Sequence, residues 1–146
     1  MNGTKSILLV EDDDVDAMTV KRVFKELNVS NKLVHRVNGE EALEYLLDGN
    51  NEKPCVILLD LNMPRMNGFE FLEAIKKEND LKGIPVVVLT TSGVNQSVTD
   101  SFKLGAAGYM VKPVDYKQFV QIIKTIQLYW TISKLPPNEK VHAAKK

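Results

Sequence analysis

The chain has 146 residues, 44% of them apolar, which is enough for one ordinary core and excludes a chain too polar to fold. Nineteen basic residues balance nineteen acidic ones, which excludes a global field that would draw the protein to nucleic acid or to an anionic membrane. Cys55 is the single cysteine, so an internal disulfide and a cysteine-based metal cage are excluded as well.

The first residues, 1–6, lack the apolar stretch of a secretory signal, and the longest apolar runs are strand-sized, so a soluble cytoplasmic protein is expected. Ser6-Ile-Leu-Leu-Val10 reads as a strand buried on both faces. Residues 15–27 follow it with apolar positions at Ala17, Val20, Phe24 and Leu27, the spacing of one helical face. A short, partly polar edge strand is expected over residues 32–37, and Asn38 with Glu41 has the spacing that opens a second helix. Cys55-Val-Ile-Leu-Leu59 is the most apolar strand, with Cys55 an inert, packed thiol. Asn67 with Glu70 opens a third helix, and Ile84-Pro-Val-Val-Val-Leu89 is a fourth strand. A helix over residues 94–104 stops at Gly105, a brief strand covers Gly108-Tyr-Met-Val111, and Asp115 with Gln118 opens a fifth helix. Leu135-Pro-Pro137 ends the ordered part, so one domain is expected over residues 5–133 and a flexible tail over 134–146.

Five strands alternating with five helices make an α/β fold, a doubly wound parallel sheet with helices on both faces. The strand order expected is 2-1-3-4-5, which opens a crevice at the carboxyl ends of strands one and three. Strand one ends in Glu11-Asp-Asp-Asp14, strand three in Asp60, strand four in Thr90-Thr91, and strand five leads into Lys112-Pro113. Two carboxylates about 4 Å apart repel by roughly 4 kcal/mol at the effective dielectric of a protein surface, so Glu11, Asp12 and Asp60 need an offsetting charge. Mg²⁺ supplies one through oxygen ligands and leaves room for a phosphate oxygen. The plainer reading is that strand ends are polar and that Asp12 to Asp14 merely begin a helix. Acids on two adjacent strand ends favour the metal. Asp60 is placed as a carboxylate nucleophile toward phosphorus. Lys112 and the Thr90 hydroxyl suit phosphate oxygens, although each also reads alone as a solvated loop cation and a satisfied strand-end hydroxyl.

Ile7-Leu-Leu-Val-Glu-Asp12, Leu58-Leu-Asp-Leu-Asn-Met-Pro-Arg-Met-Asn-Gly68, Val88-Leu-Thr90 and Gly108-Tyr-Met-Val-Lys-Pro113 together resemble CheY-like receiver domains of two-component response regulators. The resemblance spans about residues 5–133. It implies the flavodoxin-like fold and a signalling protein, not an enzyme, that accepts a phosphoryl group on Asp60 from a sensor histidine kinase or a phosphotransfer protein. It also implies Mg²⁺ held by Asp12, Asp60 and the Asn62 backbone carbonyl, with Glu11 helping through water. Thr90 and Lys112 would contact the phosphoryl group, Thr90 and Tyr109 would form the switch, and Lys112-Pro113 would be a cis bond. Thr91 stands where many receivers have alanine or glycine, which narrows the approach to Asp60, and Asn62 and Ser92 stand where water access is tuned. Thr90-Thr-Ser92, Trp130 and Leu135-Pro-Pro137 resemble stand-alone regulators that partner with cyanobacterial-type phytochrome kinases.

Two rivals fit less well. A Mg²⁺-dependent phosphohydrolase of the haloacid type carries an aspartate two residues after its nucleophile, where this chain has Asn62. A receiver-shaped module that never takes phosphate need not keep crowded carboxylates. The sequence leaves no room for an output domain after helix five, so output is expected by contact. In helix five, Phe119, Val120, Ile123, Ile126 and Trp130 form a stripe for the sheet and leave Tyr116, Ile122 and Tyr129 outside it. A symmetric homodimer through the helix 4, strand 5 and helix 5 face would cover them, unless the segment from Trp130 to Pro137 folds back over the patch. His35 and His142 are expected to be solvated.

Overall fold

The structure, a computed structural model, describes residues 5–26, 28, 31–61, 66–90, 95–112, 117, 118 and 121, with the backbone alone for Thr90 and residues 95–98. Several expectations lie outside the described residues: helical placement of Leu27, the carbonyl of Asn62, the surroundings of Thr91 and Ser92, the bond into Pro113, the cap at Asp115, and everything assigned to residues 119, 120 and 122–146.

Among the described residues nine elements alternate in the expected order: β1 (Ile7–Val10), α1 (Asp14–Glu26), β2 (Leu33–Arg36), α2 (Gly39–Leu47), β3 (Val56–Asp60), α3 (Gly68–Lys76), β4 (Val86–Thr90), α4 (Asn95–Lys103) and β5 (Gly108–Val111). Lys117, Gln118 and Gln121 are helical beyond β5. The five strands pair in parallel in the order β2-β1-β3-β4-β5. β1 and β3 are buried along their whole length, which is why their sequences are unbroken apolar runs rather than alternating ones.

Alternation shows instead in which face each residue serves. Leu8, Val10, Ile57, Leu59, Val86 and Val88 join Leu46, Phe71, Leu72 and Ile75 of α2 and α3 in one core. Their strand neighbours Ile7, Leu9, Val56, Leu58, Val87 and Leu89 join Ala17, Val20, Val23 and Phe24 of α1 in the other. A one-residue slip in any central strand would exchange the two sets, so this double burial pins the register. Cys55 precedes β3 and packs in the α1 core, where burial pushes its thiol up.

The helix ends follow their sequence signals. Asn38 caps α2 by accepting from the Glu41 amide, and Asn67 and Glu70 form a reciprocal capping box at α3. Gly105 stops the helix with φ +100°, a left-handed backbone that favours glycine.

Candidate functional site

The register fixes what meets at the carboxyl edge of the sheet. Val10 pairs with Leu59, Asp60 with Leu89, and Thr90 with Val111. In this register Glu11 stands level with Asp60, Thr90 one residue beyond them and Lys112 two, on four neighbouring strands, and the Lys112 side chain reaches back from the exit of β5 to the end of β1.

The acidic run after β1 divides into distinct tasks. Glu11 is fully buried; its Oε2 accepts from the Asp13 amide at 3.1 Å, and its Oε1 lies 2.8 Å from Lys112 Nζ. Asp12 is exposed and offers a carboxylate oxygen to the mouth. Asp13 is the cap of α1: its Oδ1 accepts from the Asp16 amide at 2.9 Å and its carbonyl from the Ala17 amide. Asp14 begins the helix and faces solvent. The plainer reading of the run thus holds for Asp13 and Asp14, and the site reading for Glu11 and Asp12.

One carboxylate oxygen each from Glu11, Asp12 and Asp60 lies within 4.8 Å of the others. Burial, the hydrogen bond to Asp60 and the charge of Asp60 hold the Asp12 carboxyl above its ordinary 3.8, with Lys112 pulling the other way. Lys112, its side chain only 7% exposed, also reaches Asp16 Oδ2 at 3.0 Å and Asp60 Oδ1 at 3.4 Å. Burial alone would lower its pKa, but hydrogen bonds to Glu11 and Asp16 and the charges of Glu11 and Asp60 win and raise it above the ordinary 10.5. Among the described residues one ammonium meets four carboxylates, which makes this part of the cluster electronegative. An all-oxygen donor set in that state fits a hard divalent cation, with Asp12 on the solvent side as the point of entry.

Four residues that sequence reasoning left without a site role also act here. Asp16 pairs with Lys112; its signal was its place on the first turn of α1, close behind a strand-end acid. Gly68 lets the start of α3 press on the backbone of Asp60 and Leu61, since a β-carbon there would sit 2.7 Å from the Asp60 carbonyl oxygen and 2.6 Å from Leu61 Cα. His35 is half-buried and hydrogen-bonded rather than freely solvated. Its Nε2 lies 2.7 Å from the Glu11 carbonyl, which can only accept, so that nitrogen carries a proton and braces the strand end. Gln118 pairs through both its amide atoms with the backbone of Val111, immediately before Lys112.

Tyr109 lies on β5, half exposed, with its ring edge-to-face with Phe102 of α4 at 6.2 Å and 82°. No helix among the described residues is long and apolar enough to cross a membrane.

Comparison with known proteins agrees with this geometry. The response regulator Rcp1 of Synechocystis is 38% identical over 133 residues, covering 88% of this chain and 90% of that protein. The probable methanogenesis regulatory protein FilR2 of Methanothrix harundinacea is 35% identical over 127 residues, covering 85% and 82%. Among solved structures, the Mn²⁺-bound form of Rcp1 superposes with a TM-score of 0.73 at 36% identity, covering 91% of this chain and 99% of that one. The phosphorylated cyanobacterial phytochrome response regulator RcpA gives 0.74 at 36% identity, covering 91% and 98%. A family model, the response regulator receiver domain, matches residues 7–124, and with the fold and the acidic mouth already in place the chain belongs to that family of two-component signalling proteins.

Proposed function

We propose that Asp60 is the phosphoacceptor and that the surrounding groups prepare it. The observation that carries this reading is the meeting of Glu11, Asp12 and Asp60 with a buried Lys112 at the end of the most apolar strand. A carboxylate oxygen of Asp60 forms the new oxygen–phosphorus bond as the phosphorus–nitrogen bond of a phosphohistidine breaks, and the leaving imidazole keeps the electron pair. Hydrolysis later returns the carboxylate and releases inorganic phosphate. The burial of Asp60, 2% exposed, keeps the acyl phosphate within a rigid frame.

Asp12, Asp60, Glu11 and the Asn62 carbonyl would hold Mg²⁺, which supplies charge neutralisation as an anionic donor approaches. Lys112 balances the phosphoryl charge from the β5 side and the Thr90 hydroxyl donates from β4. Tyr109 reports the change. Its exposed ring supports an outward station in the unphosphorylated protein, from which it turns inward as Thr90 moves.

The donor is a sensor histidine kinase of the phytochrome type or a phosphotransfer protein in the cytoplasm; the likeness to Rcp1 and RcpA supports the kinase class. The receiver occupies residues 5–133 with a tail from 134, and output passes through a homodimer of the α4, β5 and fifth-helix face. The half-exposed Phe102 and Tyr109 support that surface. Acetyl phosphate with Mg²⁺ tests the centre of the reading: wild type takes up one acid-stable, alkali-labile phosphoryl group, and neither the Asp60→Asn variant nor wild type in excess chelator does. Equal labelling of that variant overturns the assignment.

A further inference from the structure

We infer that Asp16 is a positioning residue: it holds the Lys112 ammonium in a standby station from which a phosphoryl group on Asp60 must draw it. This rests on the reading of Asp60 as phosphoacceptor. An ammonium has three donors, and here three carboxylates surround it, Glu11 at 2.8 Å, Asp16 at 3.0 Å and Asp60 at 3.4 Å. A new anionic oxygen on Asp60 can be served only if one of these contacts is given up.

The three differ in what release entails. The Glu11 side chain is fully buried and its other oxygen is tied to the Asp13 amide, so a Glu11 that lost the ammonium would be a charge without water. Asp60 carries the phosphoryl group itself. Asp16 is 33% exposed, so water can replace the ammonium at its carboxylate. It is also well placed to hold on until then. Asp13 accepts from the Asp16 amide at 2.9 Å and anchors that turn of α1, so the carboxylate is presented by a capped helix rather than by a loop.

Asp16 therefore competes with the phosphoryl group for Lys112, and removing its charge should favour the phosphorylated state. It also joins the start of α1 to the residue after β5, so transfer of the ammonium loosens one tie between these elements as it makes another.

Beryllofluoride, a stand-in for the phosphoryl group, tests this by calorimetric titration at saturating Mg²⁺. Asp16→Asn should bind it about fivefold more tightly than wild type, the scale of a partly exposed ion pair. Asp16→Glu, which keeps the charge, should behave as wild type. Asp14→Asn removes an equal charge from the same turn at an exposed position, and should leave the affinity unchanged. An Asp16→Asn affinity equal to or weaker than wild type overturns the inference. So does an equal gain in Asp14→Asn, because the effect would then be that of the general field. Wild type that binds no beryllofluoride overturns the Asp60 reading and this inference with it, whereas binding by wild type with no response to Asp16→Asn overturns the inference alone.

Discussion

The two ends of the sheet are built on opposite terms. At the amino end the strands are tied by neutral groups: the Ile7 amide donates to the Lys32 carbonyl, the Cys55 amide to the Ser6 carbonyl, and Asn31 Nδ2 to the Lys5 carbonyl. At the carboxyl end, Glu11 and Asp60 are buried beside the Lys112 ammonium. Burying ions costs several kcal/mol each before pairing offsets it, so this edge is where stability has been given up for binding. The described ties of the amino end are made within the chain, whereas under the proposed function the carboxyl end is completed by a cation and an anion. Stability at the first should ignore divalent cations, and at the second should depend on them.

The largest expected effects make that contrast sharp. Phe71 is fully buried in the core of α2 and α3, and Phe71→Ala should cost about 3–5 kcal/mol with or without Mg²⁺. Lys112→Ala should cost about 3 kcal/mol in chelator, because it removes the counter-charge of the fully buried Glu11 and the ammonium beside Asp60. Millimolar Mg²⁺ should recover most of that loss. Paired urea melts with and without the cation check both variants, and a Lys112→Ala deficit that Mg²⁺ leaves unchanged would break the comparison. Alkali should do to wild type what the substitution does. The folded pKa of Lys112 is raised, so its stabilisation is complete below the ordinary 10.5 and is lost as pH rises past that value toward the folded one.

A smaller effect tests how closely the mouth is framed from below. Gly68→Ala should cost about 2 kcal/mol, since the new β-carbon meets backbone at the Asp60 carbonyl and Leu61 Cα rather than a yielding side-chain end. If Asp60 is the phosphoacceptor, the same change should slow acetyl phosphate labelling, because the strain falls on the Asp60 peptide. Retained stability together with slowed labelling would locate the whole cost in the site, and a stable variant with the wild-type labelling rate would remove Gly68 from it.

Much of this was legible from the chain alone, for physical reasons. Apolar runs long enough for a doubly buried strand, cap residues at Asn38 and Asn67, and the glycine stop at Gly105 are local signals, and each element stands where those signals put it. The convergence of Glu11, Asp12, Asp60 and Lys112 was legible because parallel topology sends every strand's carboxyl end to one edge. What stayed hidden depends on which rotamer reaches across a gap. Nothing in the spacing of Asp16 and Lys112 reports a 3.0 Å ion pair between α1 and the exit of β5. His35 read as an edge-strand residue because its partner, the Glu11 carbonyl, belongs to the neighbouring strand's end. The Gly68 requirement likewise comes from a backbone seven residues earlier that folds back beneath it.

The smallest expected effect has the opposite sign from the others, which makes it the most selective test of the carboxyl edge. Burial, then the hydrogen bond to and the charge of Asp60, hold the Asp12 carboxyl above its ordinary 3.8. An acid whose pKa is raised on folding binds protons more readily in the folded state, so as pH climbs from 3.8 through the folded value its ionisation lowers stability. Above that window the full penalty remains. Asp12→Asn should therefore raise the melting temperature of the metal-free protein at neutral pH, by a small amount because the residue is exposed and water screens it. The gain should vanish as pH falls below 3.8, where wild type carries the same neutral charge at this position. With Mg²⁺ present the sign should reverse, since wild type gains a ligand that the variant lacks. Thermal melts of both proteins across pH, with chelator and with Mg²⁺, measure all three, and an Asp12→Asn variant less stable than wild type in chelator at pH 7 would mean that Asp12 supports the fold rather than waiting for a cation.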